Sequence, residues 1–292
     1  MKLNGRREST HVDDRRGMST GTKVAGGGGI VGIIIALIFT FMNGGDLGSL
    51  FQVVQEVQQQ QTTTQTTQRE FTAEEQELAK FSKQILAGTE DVWTELFPKY
   101  FGMEYEAPEL VLYTGQTQSG CGTGTAQMGP FYCSADQKVY IDLSFFMDMK
   151  RSLGADGDFA YAYVIAHEVG HHVQYLTGQL NQAHAAMQNA RSKAEANEMN
   201  VRLELQADFY AGVWAHHDNA MYGSLEEGDV DEALDCAQKI GDDYLQKKAQ
   251  GYSMPETFTH GRSDQRSRWL KLGIATGDVR RGDTYTMPYK QL

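Results

Sequence analysis

Ala166-His167-Glu168-Val169-Gly170-His171 reads H-E-x-x-H inside a run with helical character. Residues four apart on an α-helix lie one above the other on a single face. His167 and His171 can therefore offer two imidazole nitrogens to one cation from one rigid element. Glu168 falls about 100° further round. There it can take a proton from a metal-bound water without being a ligand. Ala162, Ile165, Ala166, Val169, Val173 and Leu176 recur at spacings of three and four, an apolar stripe that predicts a helix. Val164, His167, His171 and Gln174 follow the neighbouring stripe, and Gly178 is placed to end the helix as a left-handed cap. Gly170 costs on the order of 1 kcal/mol in mid-helix against Ala; close approach of another element would compensate. Two incidental histidines on a buried helix are the plain alternative.

A second motif decides between them. Glu204-Leu-Gln-Ala-Asp208 begins 33 residues after His171, in a run of good helix formers from about 195 to 217. Glu204 and Asp208 share a face for the same geometrical reason. Catalytic zinc commonly takes three protein ligands and keeps a fourth position for water; His167, His171 and Glu204 are such a set. Asp208, one turn on, can accept the remaining N–H of a ligand imidazole and fix its tautomer. A solvated helix face, the usual fate of carboxylates, is the competing reading of Glu204 and Asp208.

HEVGHHVQ followed by VRLELQADFYAGVWAH resembles the predicted neutral zinc metallopeptidases (YpfJ-like). More distantly it is similar to the gluzincin proteases, with their H-E-x-x-H plus E-x-x-x-D. The resemblance extends to the amino-terminal GRREST-HVDDRRG segment, the glycine-led apolar segment, CGTGTAQMGPFYC and FTHGRSDQR. It implies an α+β, zincin-like fold, mainly helical with a small sheet, and hydrolysis of peptides with Zn2+ as cofactor. In zincin-like folds an edge strand above the metal helix pairs with extended substrate through backbone hydrogen bonds. Val139-Tyr140-Ile141, in a stretch to Leu143 that alternates like a strand, is the candidate for it; an ordinary core strand is the alternative. Distant gluzincins of the membrane-protease type carry a His shortly before an Arg. By that likeness His260, or failing it Arg262 or Arg266, is a candidate to stabilise the oxyanion. A surface loop histidine is the bland reading of His260. His172, His184, His216 and His217 read as structural or solvated.

The 292 residues suffice for one sizeable domain with appendages. Residues 1–23 hold six Lys/Arg against three acids, a net +3 within a total of −12, so the remainder carries −15. That acidic body argues against a nucleic-acid partner. Val24 to Met42 carries no charge and is long enough to span a bilayer; a cleaved signal peptide is the rival, disfavoured by the long leader with its acids. The expected organisation is a cytoplasmic basic segment at 1–23 and a transmembrane helix at 24–43, which contacts membrane lipid as an anchor. A disordered Gln/Thr-rich linker at 44–70 and a metallopeptidase domain at 71–292 follow. The charge bias places the amino terminus inside and the domain outside, periplasmic or extracellular.

Thr72-Ala-Glu-Glu75 is a capping box that opens a helix, read as ending at Gly88 before a second one over 91–97. An exported domain permits a Cys121–Cys133 disulfide, worth roughly 3 kcal/mol for a loop of this size in the entropy model; free thiols or metal ligands are the alternatives. Cys236 reads as a small buried residue. A membrane-tethered zinc-binding adaptor without proteolytic activity is the functional alternative. A di-iron bundle needs paired Glu-x-x-His motifs on facing helices; Glu168–His171 lies within the H-E-x-x-H motif itself, and Glu8–His11 falls in the short amino-terminal segment.

Overall fold

The computed structural model describes residues 1–17 and 70–292. The expected transmembrane helix at 24–43 and nearly all of the expected linker lie outside the described residues. Among the described residues no helix is long and apolar enough to cross a membrane.

The structure is α+β and mostly helical. Its elements are β1 (Val12–Asp14), α1 (Ala73–Phe101), β2 (Glu109–Tyr113), β3 (Gln116–Ser119), β4 (Gly122–Thr125), β5 (Phe131–Cys133) and β6 (Lys138–Asp142). Then follow α2 (Ser144–Asp148), α3 (Asp158–Leu176), α4 (Gln179–Gln188), α5 (Lys193–Tyr222), α6 (Asp229–Lys239), α7 (Asp242–Gln250) and α8 (Ser263–Thr276). One sheet runs β1-β2-β6-β5, parallel except for β5, and β3 and β4 form a separate hairpin.

The capping box forms, with the Glu75 N–H donating to Thr72 Oγ1 and the Thr72 N–H to Glu75 Oε2. The helix it opens does not stop at Gly88; α1 runs through to Phe101. Gly88 serves packing instead. A Cβ there would stand 2.7 Å from both Arg6 Nη2 and Asp218 Oδ1, so only glycine lets that ion pair sit on the helix.

The apolar stripe of α3 is buried as expected, and nearly every residue from Phe159 to Gly170 is inaccessible. The helix ends at Leu176, with Gly178 at φ +79°. Gly170 earns its place through α5: a Cβ there would lie 2.9 Å from the Ala207 carbonyl oxygen and 3.1 Å from its Cα. α5 and α8 cross the same way, a Cβ on Gly212 meeting the Leu270 oxygen at 2.3 Å and one on Gly273 the Phe209 oxygen at 2.2 Å. Three helices are thus drawn together backbone to backbone.

Two expectations need correcting. Residues 1–17 are not separate from the body. β1 pairs with β2, Arg6 is paired with the fully buried Asp218, Arg7 bridges Glu90 and Asp91, and Arg16 donates to the Glu75 carbonyl. A single membrane crossing between residues 17 and 70 would part β1 from β2. A cytoplasmic amino terminus with the domain outside is therefore incompatible with this sheet. Charge bias misled because the arginines it counts are ion-paired within the fold. Second, Val139, Tyr140 and Ile141 are not at an edge: β6 has β2 on one side and β5 on the other. A turn with Gln137 at φ +59° folds Phe131-Tyr-Cys133 back along β6, and β5 takes the edge.

The Cys121–Cys133 bridge is formed, S–S 2.06 Å, tying the turn of the β3–β4 hairpin to the end of β5. Cys236 is buried with its thiol toward the Met149 sulfur at 3.7 Å.

Candidate metal centre

α3 and α5 run past each other at Gly170 and Ala207, which sets His167 and His171 of one against Glu204 of the other. His167 Nε2 lies 3.2 Å from Glu204 Oε2, and His171 Nε2 lies 3.5 Å from Glu204 Oε1. One ligand atom from each of the three residues lies within 4.8 Å of the other two. Ligand atoms bonded to a tetrahedral zinc at about 2.0–2.1 Å stand roughly 3.3–3.4 Å apart. The donor set, two nitrogens and a carboxylate, fits Zn2+ in type and in spacing.

Each imidazole is fixed from behind. His167 Nδ1 donates to Asp208 Oδ1 at 2.8 Å. Asp208, fully buried, also accepts from the Tyr163 hydroxyl at 2.5 Å and, bidentately, from Arg266 at 2.8 and 2.9 Å. Arg266, 4 % exposed, is thus committed to Asp208 rather than to substrate. Arg262, the other arginine considered for the oxyanion, pairs with exposed Asp264. His171 Nδ1 meets Gln174 Oε1 at 2.9 Å.

The charges couple strongly. Burial raises the Asp208 pKa, but Arg266 and His167 outweigh it and hold the carboxyl at about 2. Burial also raises that of Glu204, and the facing histidines keep it well below the usual carboxylate range. For His167, burial lowers the pKa while Asp208 and Glu204 lift it to about 10.

Glu168 is 8 % exposed and lines the same cleft. No group among the described residues hydrogen-bonds or ion-pairs with its carboxylate. The cleft, about 420 Å³, runs between the β5 edge at Phe131 and Tyr132 and the loop carrying His260. His260 is half exposed at its side chain, and Asp242 holds it from beneath. The Thr259, His260 and Gly261 N–H groups all donate to Asp242 Oδ2, at 2.7, 2.6 and 3.0 Å, and His260 Nδ1 stands 3.4 Å from Oδ1. Desolvation lowers the His260 pKa, and Asp242 with Glu204 raises it by more. A separate cavity beside Lys2, Arg6 and Arg7 is remote from this chemistry, and both arginines are already paired.

Residues 1–285 match the family described as "Putative neutral zinc metallopeptidase". The chain belongs to this family. It is 49 % identical to the uncharacterized protein YpfJ of Escherichia coli K12, over 98 % of this chain and 99 % of that one. It is 39 % identical to the uncharacterized protein Rv2575 of Mycobacterium tuberculosis H37Rv, over 67 % of this chain and 66 % of that one. No solved structure matches. Zn2+ is the cofactor this family implies, and a peptide or protein is its substrate.

Three residues of the site escape motif reading. Tyr163 and Gln174 lie four before His167 and three after His171, on the ligand face of α3, so helical spacing was a usable signal for both. Asp242 is eighteen residues from His260 and is brought to it only by tertiary structure.

His172, read as structural or solvated, is buried, and it links the cleft edge to the metal helix. It accepts from the Tyr132 hydroxyl at 2.9 Å and donates through Nε2 to the Glu106 carbonyl at 2.7 Å. Burial pushes its pKa down to about 4. Above pH ~6.5 both folded and unfolded chains hold it neutral and its contribution is complete. As pH falls from there through about 4, the unfolded chain takes a proton that the folded one refuses. Stability drops by up to ~3 kcal/mol. A His172→Gln variant, able to make both hydrogen bonds without titrating, lacks that loss. The stability gap between variant and wild type should therefore change between pH 7 and pH 4 in melting curves of the chelator-treated proteins. Parallel curves would exclude this role.

Proposed function

We propose that this protein is a zinc-dependent endopeptidase in which His167, His171 and Glu204 hold the metal and Glu168 is the general base. The observation that carries the reading is the convergence of two nitrogens and a carboxylate on one point, beside the Glu168 carboxylate, which has no partner among the described residues, in an open cleft. When bound, Zn2+ supplies Lewis acidity, lowering the pKa of a coordinated water towards about 7 and polarising the scissile carbonyl. Glu168 takes the proton of the attacking water and returns it to the leaving amine nitrogen. His260, steadied by Asp242, donates a hydrogen bond to the oxygen that gains charge. The outer edge of β5 at Phe131 and Tyr132, paired with no strand among the described residues, aligns the substrate as an added strand, with backbone hydrogen bonds that do not depend on its sequence. The disulfide supports an extracytoplasmic placement for the body, residues 1–17 included.

A tethered adaptor with structural zinc is the alternative. Structural zinc sites are closed, four-ligand and Cys-rich; three donors facing an open cleft speak against it. Incubation of the full chain with a mixed peptide library should give cleavage that a chelator abolishes and added zinc restores. Zinc binding without cleavage of any peptide would favour the adaptor.

A further inference from the structure

We propose that Gln174 is a positioning residue that fixes the proton of His171 on Nδ1 and so keeps its Nε2 lone pair directed at the metal. This rests on the metal reading above and concerns a residue outside the H-E-x-x-H and E-x-x-x-D motifs.

Gln174 is fully buried, one turn beyond His171 on α3. Its amide can face only one way. Nε2 lies 2.7 Å from the Leu203 carbonyl oxygen and 3.0 Å from Gln206 Oε1. A backbone carbonyl has no proton to give, so a reversed amide would set oxygen against oxygen at hydrogen-bond distance. Gln206 is fixed by the same logic, because its Nε2 donates to the Gly282 carbonyl at 2.9 Å. Gln174 Oε1 therefore faces His171 Nδ1, where it can only accept. The imidazole must carry its proton there.

The two metal histidines are thus backed by unlike chemistry. His167 leans on a carboxylate that Arg266 neutralises. His171 leans on a neutral chain of two amides that ends in the segment after α8. That segment is itself anchored: Arg202 donates to the Met287 carbonyl at 2.8 Å, and Thr284 Oγ1 donates to the Arg202 carbonyl at 2.7 Å. Gly282 sits so close to Phe209 that a Cβ would fall 2.5 Å from the ring, which leaves its carbonyl little room to turn.

Losing an outer partner of a ligand histidine typically weakens metal affinity 10–100-fold. The test measures zinc affinity by chelator competition, the visible spectrum of the cobalt-substituted protein, and the melting temperature of the metal-free form. Gln174→Leu should lose 10–100-fold in zinc affinity and alter the cobalt spectrum. Gln206→Leu removes the second amide of the chain but leaves the Leu203 carbonyl to orient Gln174; it should lower the metal-free melting temperature and cost clearly less zinc affinity than Gln174→Leu. A purely structural Gln174 predicts instead that affinity follows stability in both variants. If Gln174→Leu does not fold, Gln174→Met, of similar length and without a strong acceptor, should show the same loss of affinity. Wild-type affinity in a folded Gln174 variant, or equal losses at both positions, would overturn the proposal. Wild type failing to bind zinc at all would instead remove the metal reading.

Discussion

Glu168→Gln should bind zinc as wild type does and lose on the order of 10²–10⁴-fold in kcat, the usual contribution of a positioned general base. The substitution keeps the shape of the side chain and removes only its ability to take a proton. Metal content should not change, because the carboxylate lies about 100° round α3 from His167 and is not among the three converging donors. It has no partner among the described residues, so no ion pair or hydrogen bond is broken and the fold should be undisturbed. Side-by-side zinc stoichiometry and peptide turnover are the measurement. Full activity in the Gln variant would end the role given to Glu168, and lost metal would make it a ligand. His167→Ala, by contrast, removes a donor and should lose metal and turnover together.

The features legible in the sequence were those fixed by local geometry. The four-residue spacing in His167–His171 and Glu204–Asp208 needs only a helix to become a shared face. The capping box at Thr72 and the cap at Gly178 are equally local. Gly170 was informative for a different reason: a glycine where helix propensity argues against one implied a neighbour, and Ala207 is that neighbour. Gly88 carries the same kind of signal, a close neighbour in the Arg6–Asp218 pair, but a glycine in that place is equally compatible with a helix stop, and local sequence does not separate the two. What stayed hidden was tertiary. β5 is three residues long, too short for alternation to register, and it becomes the edge only because the chain turns back at Gln137. β1 has its parallel partner nearly a hundred residues on. Asp242 opens α7 and gives no hint in the chain that three N–H groups of the His260 loop converge on it.

Arg266→Met should destabilise the fold by about 3–5 kcal/mol, the cost of leaving a buried charge without its partner. Asp208 is fully buried, and among the described residues Arg266 supplies its only formal positive charge that does not depend on a histidine proton. With zinc bound His167 is a neutral ligand, so the Tyr163 hydroxyl and His167 N–H would remain for hydrogen bonding but not for neutralisation in the zinc-loaded protein. The double variant Arg266→Met/Asp208→Leu removes both charges, and apolar replacement of a buried pair is often close to neutral in stability. It should therefore recover much of the melting temperature. It should not recover the metal: His167 Nδ1 would have lost its acceptor, and zinc affinity should stay 10–100-fold below wild type. Stability and metal affinity thus part company, which a generally damaged core would not produce. Denaturant melts and chelator competition on the two variants decide the matter. A single variant as stable as wild type would mean that Asp208 does not rely on Arg266 for its charge. Wild-type zinc affinity in the double variant would mean that the carboxylate behind His167 has no part in holding it for the metal.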